Sequence, residues 1–499
     1  MKYQNPILRG FYPDPSVCAA NGSYYMVCSS FQYFPGVPLF ESKDLVNWNQ
    51  IGYVLTRKSQ VMLHEINSSG GVFAPTIRFF NGRFYMVTTN DTTHQNFYVY
   101  TDNIYSEWSE PVYVDQGGID PSFLFEDEHA YFMSNGYDDD GRGGIIQCEI
   151  DINTGKKLSK STCIWNGNGG RYLESPHLYK INGYYYLCAA EGGTEYGHMV
   201  TYARSRSVWG PFENYPDNPV LTNRNKAPYI IQGIGHGDLI CDKSGDWHIL
   251  TLGFRQQDIW MPFHQLGREV FLTPVYFHDD NWFSAGNDGT TEEEYEICGD
   301  FVQEFKNHYT FHNTLPKVDW SYLRDPEINN YEFSSGKLIL HGTDVTLDDV
   351  ASPTFTCMHQ KEFNGEMAVN VSIDCGEAGI CAYMTENEHY EIAIRRSEDA
   401  DCYEIIERLN IGNIKHVQNL IKVKKNHALL KLRFDSLNYY FIVNAFDDDT
   451  KSCKETILGS AMSKYLTSEV AGGFTGTVLA LYAVGNNVAE FTQLDLNYK

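Results

Sequence analysis

The 499-residue chain has no apolar run long enough to span a bilayer, and its opening stretch, MKYQNPILRGFYPDPS, lacks the apolar core of an export signal. Its twelve cysteines include no CxxC pair and no close metal-ligand spacing. They read as buried, reduced thiols, and the cytoplasm is the expected compartment. Basic side chains are scarce: 38 Lys and Arg stand against 64 Asp and Glu, a formal charge of −26. So negative a chain repels phosphate backbones and anionic lipid, which speaks against nucleic acid and membrane as partners. Neutral partners, oligosaccharides among them, do not feel that field. Long helical periodicity is missing as well.

What is present is a chain built for packing, with 42% hydrophobic and 20% charged residues, long enough for two or three domains. Alternating stretches such as YYMVCSS, RFYMVTT and YYYLCAA predict short β-strands nearly throughout. Five segments share one frame: DPSV (14–17), APTI (74–77), DPSF (120–123), SPHL (175–178) and HGDL (236–239). In three of them a glycine follows the proline by seven places and an aromatic by nine: Gly22 and Tyr24, Gly82 and Phe84, Gly183 and Tyr185. The DPSF copy has Glu128 instead of the glycine, and the fifth has Gly245 and Trp247 one place later. Strand, glycine turn and aromatic strand make a hairpin. Five such copies over roughly 240 residues predict a five-bladed β-propeller over 1–295; a generic sandwich with coincidental hairpins is the alternative. Residues 275–296, rich in Gly, Thr and Glu, read as a linker or a domain-joining strand. Beyond residue 300 the frame stops, but strands such as EMAVNVSI, HYEIAIRR and YYFIVNAF continue. They predict an accessory, lectin-like β-sandwich over 300–499, giving an all-β protein.

A propeller turns the inner strand of each blade toward one channel, so equivalent repeat positions face one place. Those positions hold Asp14, Ala74, Asp120, Glu174 (one residue ahead of its segment) and His236. One Asp before Pro is ordinarily a turn former. Three acids at corresponding positions are costly to bury without purpose. Glycoside hydrolysis uses such a set: one carboxylic acid protonates the leaving oxygen, an opposing carboxylate activates water or attacks the anomeric carbon, and a third keeps the donor's pKa up. Catalytic zinc is disfavoured by the wide spacing and the single histidine. No cofactor is required for such chemistry, and a structural calcium near His236 is the metal the cluster admits.

The stretches NPILRGFYPDPSVC, SSFQYFPGVPLFESKDLVNW, GGVFAPTIRFFNGRFYMVTTN, DQGGIDPSFLFED, RYLESPHLYKINGYYYLCAAEGGTEYGHMVTYARS, GIGHGDLI and HQLGREVFLTP resemble glycoside hydrolase family 43, in its two-domain β-xylosidase and α-L-arabinofuranosidase branches. The resemblance covers the whole predicted propeller in order. It continues more weakly through SPTFTCMHQK and GFTGTVLALYAVGNN. It implies hydrolysis with inversion, with the general base at Asp14, the pKa-modulating aspartate at Asp120 and the general acid at Glu174. Arg268 resembles the family's sugar-contacting arginine, a surface salt bridge being the other reading. His236 resembles a channel histidine that supports a metal ion or water cluster; a satisfied core histidine is its alternative. Phe31, Phe34 and Phe73 are candidates for an apolar platform against the sugar face, with core packing as the default. Relatives often carry Trp where Phe73 stands and an arginine-rich run where this chain has TCMHQK.

The expected activity is therefore removal of terminal β-D-xylose, α-L-arabinofuranose or both from xylan-derived oligosaccharides. An endo-arabinanase would need an open groove. A non-catalytic carbohydrate-binding propeller would tolerate loss of an acid, and all three are present. Monomer and homo-oligomer are both left open by the sequence.

Overall fold

The computed structural model describes residues 1–311, 318–334, 336–398, 402–447 and 452–499. Five four-stranded antiparallel sheets succeed one another from Ser16 to Ala285, each a blade with its strands in chain order from the inside out. Their inner strands are Ser16–Ala20, Thr76–Phe80, Ile119–Glu126, Glu174–Ile181 and Ile231–Cys241. The repeat frame has a simple physical origin. In the first, second and fourth blades the inner hairpin turns on an Asn-Gly pair with both residues at positive φ: 51° and 78° at Asn21-Gly22, 49° and 81° at Asn81-Gly82, 51° and 76° at Asn182-Gly183. Those dihedrals match the right-handed twist of the strands they join. The fifth blade uses a longer turn, in which Gly245 N–H donates to the Asp242 carbonyl, hence its displaced glycine.

An apolar cluster lies between every neighbouring pair of blades. Tyr25, Val27, Ile77 and Met86 fill the first junction, and Tyr98, Phe123 and Phe132 the second. The third holds Met133, Ile145 and Leu187, the fourth Tyr202, Ile234 and Phe271. At the last junction Val17, Met26 and Phe40 meet Leu250 and Leu272. The two ends of the propeller segment are closed on each other by Lys2–Gln4, which pairs with Glu294–Glu296 in a two-stranded sheet outside the five blades. The stretch 275–296, expected as a linker or joining strand, thus supplies the end of Glu269–Phe277, the outermost fifth-blade strand Phe283–Ala285, and this closing strand.

Along the channel one carboxylate gathers four blades. Asp238, fully buried, accepts both guanidinium nitrogens of Arg78 at 2.8 and 3.0 Å, Ser16 Oγ at 2.6 Å, the Val17 N–H at 3.0 Å and the Tyr179 hydroxyl. Burial raises the Asp238 pKa, but Arg78 and the other donors overcome it and hold the group well below the usual carboxylate range.

The second domain is a sandwich of two eight-stranded sheets over a core that includes Met367, Val369, Ile392, Leu430, Phe441 and Leu481. One of these sheets ends on a strand of the propeller: Tyr33–Phe34 pairs antiparallel with Ser321–Leu323, Phe34 opposite Tyr322 and Tyr33 opposite Leu323. Phe11, Phe31 and Tyr33 then pack against Phe355, Cys357, Tyr383, Val478 and Tyr482. Arg255 reaches from the propeller to Glu362 at 2.9 Å while bonding Glu269 twice at 2.8 Å.

Removing one partner of a buried ion pair strands the other. Asp238→Ala is therefore expected to cost roughly 3–5 kcal/mol of stability, read as a lowered thermal or denaturant midpoint.

Candidate active site

The inner strands begin at one end of the channel, where they surround a cavity of about 450 Å³, within the roughly 300–1,000 Å³ range of small-molecule sites. Asp14, Asp120 and Glu174 all line it. Asp14, Asp120, Ser175 and His236 share the left-handed region, with φ of 56°, 54°, 56° and 50°. The true equivalent of the two aspartates in the fourth blade is therefore Ser175, and Glu174 enters the cavity from the preceding position. Gly118 lets Asp120 reach its place: at φ 87°, a side chain there would put Cβ 1.5 Å from the Asn135 carbonyl oxygen. Asn135 in turn donates to the Leu173 carbonyl at 2.7 Å, and Ser175 N–H donates to Asp120 Oδ2 at 3.1 Å. The segments carrying Asp120 and Glu174 are thus tied together.

The three acids differ electrostatically. Asp14 accepts Ser29 Oγ at 2.5 Å and Arg268 Nη1 at 3.1 Å, with His236 Nδ1 3.6 Å away. Burial pushes its pKa up, but Arg268, His236 and Ser29 together pull it below the ordinary aspartate value. Glu174 moves the other way, to about 7, through burial and the negative charge of Asp14, against the pull of Arg268. Asp120 is also raised well above its usual value by burial and by the charges of Glu174 and Asp14. Asp120 and Glu174 titrate as a pair that keeps a proton near neutrality, while Asp14 stays ionised.

Arg268, Phe31 and Phe73 are in the same place. Arg268 donates to Thr194 Oγ1 at 2.8 Å and, through Nη2, to the Phe474 carbonyl at 3.0 Å. Phe31 lies 5.5 Å from Phe73 and 6.0 Å from Phe474, centroid to centroid. Phe474, from the sandwich, completes this apolar wall, and its backbone N–H is held by Ser69 Oγ at 2.8 Å. The domains meet closely here: a Cβ on Gly267, at φ 77°, would stand 2.9 Å from Gly476 Cα. That approach brings Arg268 and Phe474 together. Phe34, expected as part of the platform, is not in the cavity wall. It is consumed by pairing with the sandwich sheet and is buried beside Val37, Leu39 and Leu55. Thr194, His198, His264, Glu469 and Phe474 line the cavity but were not singled out from the sequence. The first two lie within GGTEYGH and Phe474 within GFTG, where only a glycine-flanked aromatic hints at its place.

His236 sits among nitrogen groups. Burial lowers its pKa against the pull of Asp14, with Arg268 adding to the lowering. His177 stands beside it, ring centroids 6.4 Å apart, and the His177 Nδ1 is 3.0 Å from Arg78 Nη2. Calcium takes about 6–8 oxygen ligands. Here the nearby carboxylate already serves Ser29 and Arg268, and the next channel position is filled by a guanidinium. This donor set does not fit calcium. Among the described residues, no three His, Cys, Asp or Glu side chains form a group that could hold a metal ion.

One ionised carboxylate sharing an aromatic-walled pocket with a pair that keeps a proton, on a five-bladed propeller, suits a carbohydrate-cleaving hydrolase. The model described as Glycosyl hydrolases family 43 matches residues 3–283, and that of the Beta xylosidase C-terminal Concanavalin A-like domain matches 308–497. The chain belongs to glycosyl hydrolase family 43 and is a glycoside hydrolase. It is 34% identical to a non-reducing end alpha-L-arabinofuranosidase of Bacteroides ovatus, over 99% of this chain and 94% of that protein. It is 32% identical to a xylosidase/arabinosidase of Butyrivibrio fibrisolvens, over 99% and 98%. Among solved structures, a Bacteroides ovatus xyloglucan PUL GH43B superposes with a TM-score of 0.92 at 33% identity, covering 100% of both chains.

Two titrations test the electrostatics. Asp120→Asn removes the like charge beside Glu174, so the proton on Glu174 is lost more readily. The alkaline limb of kcat/KM against pH is expected to move down by about one unit, worth about 1.4 kcal/mol; an unchanged or higher limb would show that Asp120 is not its electrostatic partner. Arg268→Ala removes the cation that favours ionised Asp14, so the acid limb is expected to move to higher pH.

Proposed function

We propose that this hydrolase removes terminal pentoses, β-D-xylose, α-L-arabinofuranose or both, from the non-reducing ends of xylan- or arabinoxylan-derived oligosaccharides with inversion. The observation that carries the reading is the opposite shift of two carboxyl groups in one pocket: Asp14 held ionised and Glu174 held protonated to about neutral pH. Asp14, as base, takes a proton from a water that attacks the anomeric carbon. Glu174, as acid, gives its proton to the glycosidic oxygen as that bond breaks. Asp120 titrates jointly with Glu174, so that the two keep a proton between them, and it holds the Ser175 N–H next to the donor. Arg268 fixes Asp14 and faces the sugar with Phe31, Phe73 and Phe474, whose apolar faces suit the C–H faces of a ring. Terminal rather than internal cleavage is supported by the sandwich residues Glu469 and Phe474 in the cavity wall, which favour a pocket over a groove. Pentose preference is supported by the names of the two relatives. A reducing, cytoplasmic setting is part of the same reading, supported by free cysteines throughout the described residues.

A panel of aryl glycosides with the products followed by NMR tests this directly. The first-formed sugar is expected to have the inverted configuration; retained configuration or a trapped glycosyl-enzyme would overturn it. Asp14→Asn is expected to abolish turnover of every substrate. Glu174→Gln is expected to spare aryl glycosides with good leaving groups, which need little protonation. Equal loss in both variants on all substrates would mean that the two roles are wrongly assigned.

A further inference from the structure

The cavity holds an imidazole–carboxylate pair that the proposed chemistry leaves unused. His264 stacks on Phe254 with centroids 3.9 Å apart. Its Nδ1 meets Glu469 Oε1 at 2.5 Å, and its backbone N–H donates to Oε2 of the same carboxylate at 3.2 Å. The Tyr196 hydroxyl reaches the same carboxylate at 3.3 Å and the Pro262 carbonyl at 2.7 Å. His264 and Tyr196 belong to the propeller, whereas Glu469 lies in the single helical turn Ser468–Ala471 of the sandwich. The pair is therefore assembled across the domain boundary. A carboxylate on Nδ1 fixes the ring's orientation and leaves Nε2 as its working nitrogen. His264 Nε2 makes no hydrogen bond among the described residues and is not sealed from solvent, so it is open to the cavity that His264 lines.

The position of the pair along the cavity indicates what it meets. The proposed terminal-sugar contacts cluster at Asp14: Arg268 bonds it directly, and the Arg268 guanidinium lies 5.7 Å from the Phe31 ring and 5.8 Å from that of Phe474. His264 is anchored elsewhere, on Phe254 and Glu469. The wall leading to it runs from Tyr172 through Gly193 to Tyr196. A Cβ on Gly193 would lie 3.2 Å from the Tyr172 ring, which is 59% exposed. Tyr172 precedes Glu174 by two residues, and the proton donor must stand beside the glycosidic oxygen. A departing sugar bonded there would extend along this wall.

We propose that His264, oriented by Glu469 of the sandwich, hydrogen-bonds a hydroxyl of the departing sugar and so favours saccharide over non-saccharide leaving groups. The proposal rests on the exo-glycosidase reading above. Either protonation state of the imidazole serves, since a sugar hydroxyl both donates and accepts. Glu469 acts through His264 and is a positioning residue.

The test uses the full-length protein with a pentose disaccharide and the matching 4-nitrophenyl pentoside, which offers no leaving-group hydroxyls. In His264→Ala the ratio of kcat/KM for the disaccharide to that for the aryl pentoside is expected to fall about five- to tenfold, chiefly through KM for the disaccharide, as for one lost hydrogen bond. Glu469→Ala is expected to lower the ratio similarly, whereas Glu469→Gln retains an acceptor for Nδ1 and restores most of it. The double variant is expected to fall no further than His264→Ala, because the two residues act as one unit. An unchanged ratio in both alanine variants overturns the proposal, whether activity on the two substrates is kept or lost in parallel. His264→Phe, which keeps the ring stacked on Phe254 but has no polar atom, gives the same reading where the alanine variant folds poorly. Failure of the unmutated protein to cleave either substrate would instead refute the exo-pentosidase reading.

Discussion

The channel carboxylate of Asp238 is the point on which the propeller's geometry depends. Each blade is an independent twisted sheet, and apolar contacts between neighbours are tolerant of small slides. Directional bonds are less tolerant. Asp238 in the fifth blade binds Ser16 and Val17 of the first, Arg78 of the second and Tyr179 of the fourth. These bonds lie on the same inner strands that begin, a few residues earlier, with Asp14 and Glu174 or, in the fifth blade, pass through His236. Fixing the strands about one buried charge fixes the spacing of the groups at their ends.

The same strands create two electrostatic environments a short distance apart. At Asp14 the bonded neighbours are donors or cations, Ser29, Arg268 and His236 among them, and the carboxylate is stabilised. At Asp120 and Glu174 burial and like charges outweigh the pull of Arg268, and the only hydrogen bond given to Asp120 among the described residues is the Ser175 backbone N–H. Burial penalises charge at both places. The difference in neighbours, not in depth, separates a group that accepts a proton from one that gives it. Arg268 links this chemistry to the second domain through the Phe474 carbonyl.

The propeller could be read in the sequence because its frame is imposed locally. Asn-Gly turns and the aromatics two places on follow from the geometry of each hairpin, and Asp14, Asp120 and His236 recur because one left-handed backbone position recurs. Glu174 was found although it stands one place out of frame, since its segment otherwise fits. Features that arise only from docking were not legible. Phe34 belongs by composition to an apolar platform, yet a two-residue strand commits it to the neighbouring sheet. Glu469 and Phe474 reach the cavity from the far end of the chain, where no repeat marks them. The poor fit of the surroundings of His236 to calcium has a similar origin: Arg78, distant in sequence, brings its own positive charge into the channel.

The pairing of Lys2–Gln4 with Glu294–Glu296 has a consequence for how the protein is made. Lys2 and Glu294 are 292 positions apart. At about 5–20 residues per second on a ribosome, the first strand waits about 15 to 60 s for its partner. Tyr33–Phe34 waits about as long for Ser321–Leu323. Through that interval the backbone groups of Lys2–Gln4 lack their partner strand. Such edges are sites of mispairing. The strand is thus exposed during synthesis, and a chaperone that covers it until residue 296 has emerged would protect it.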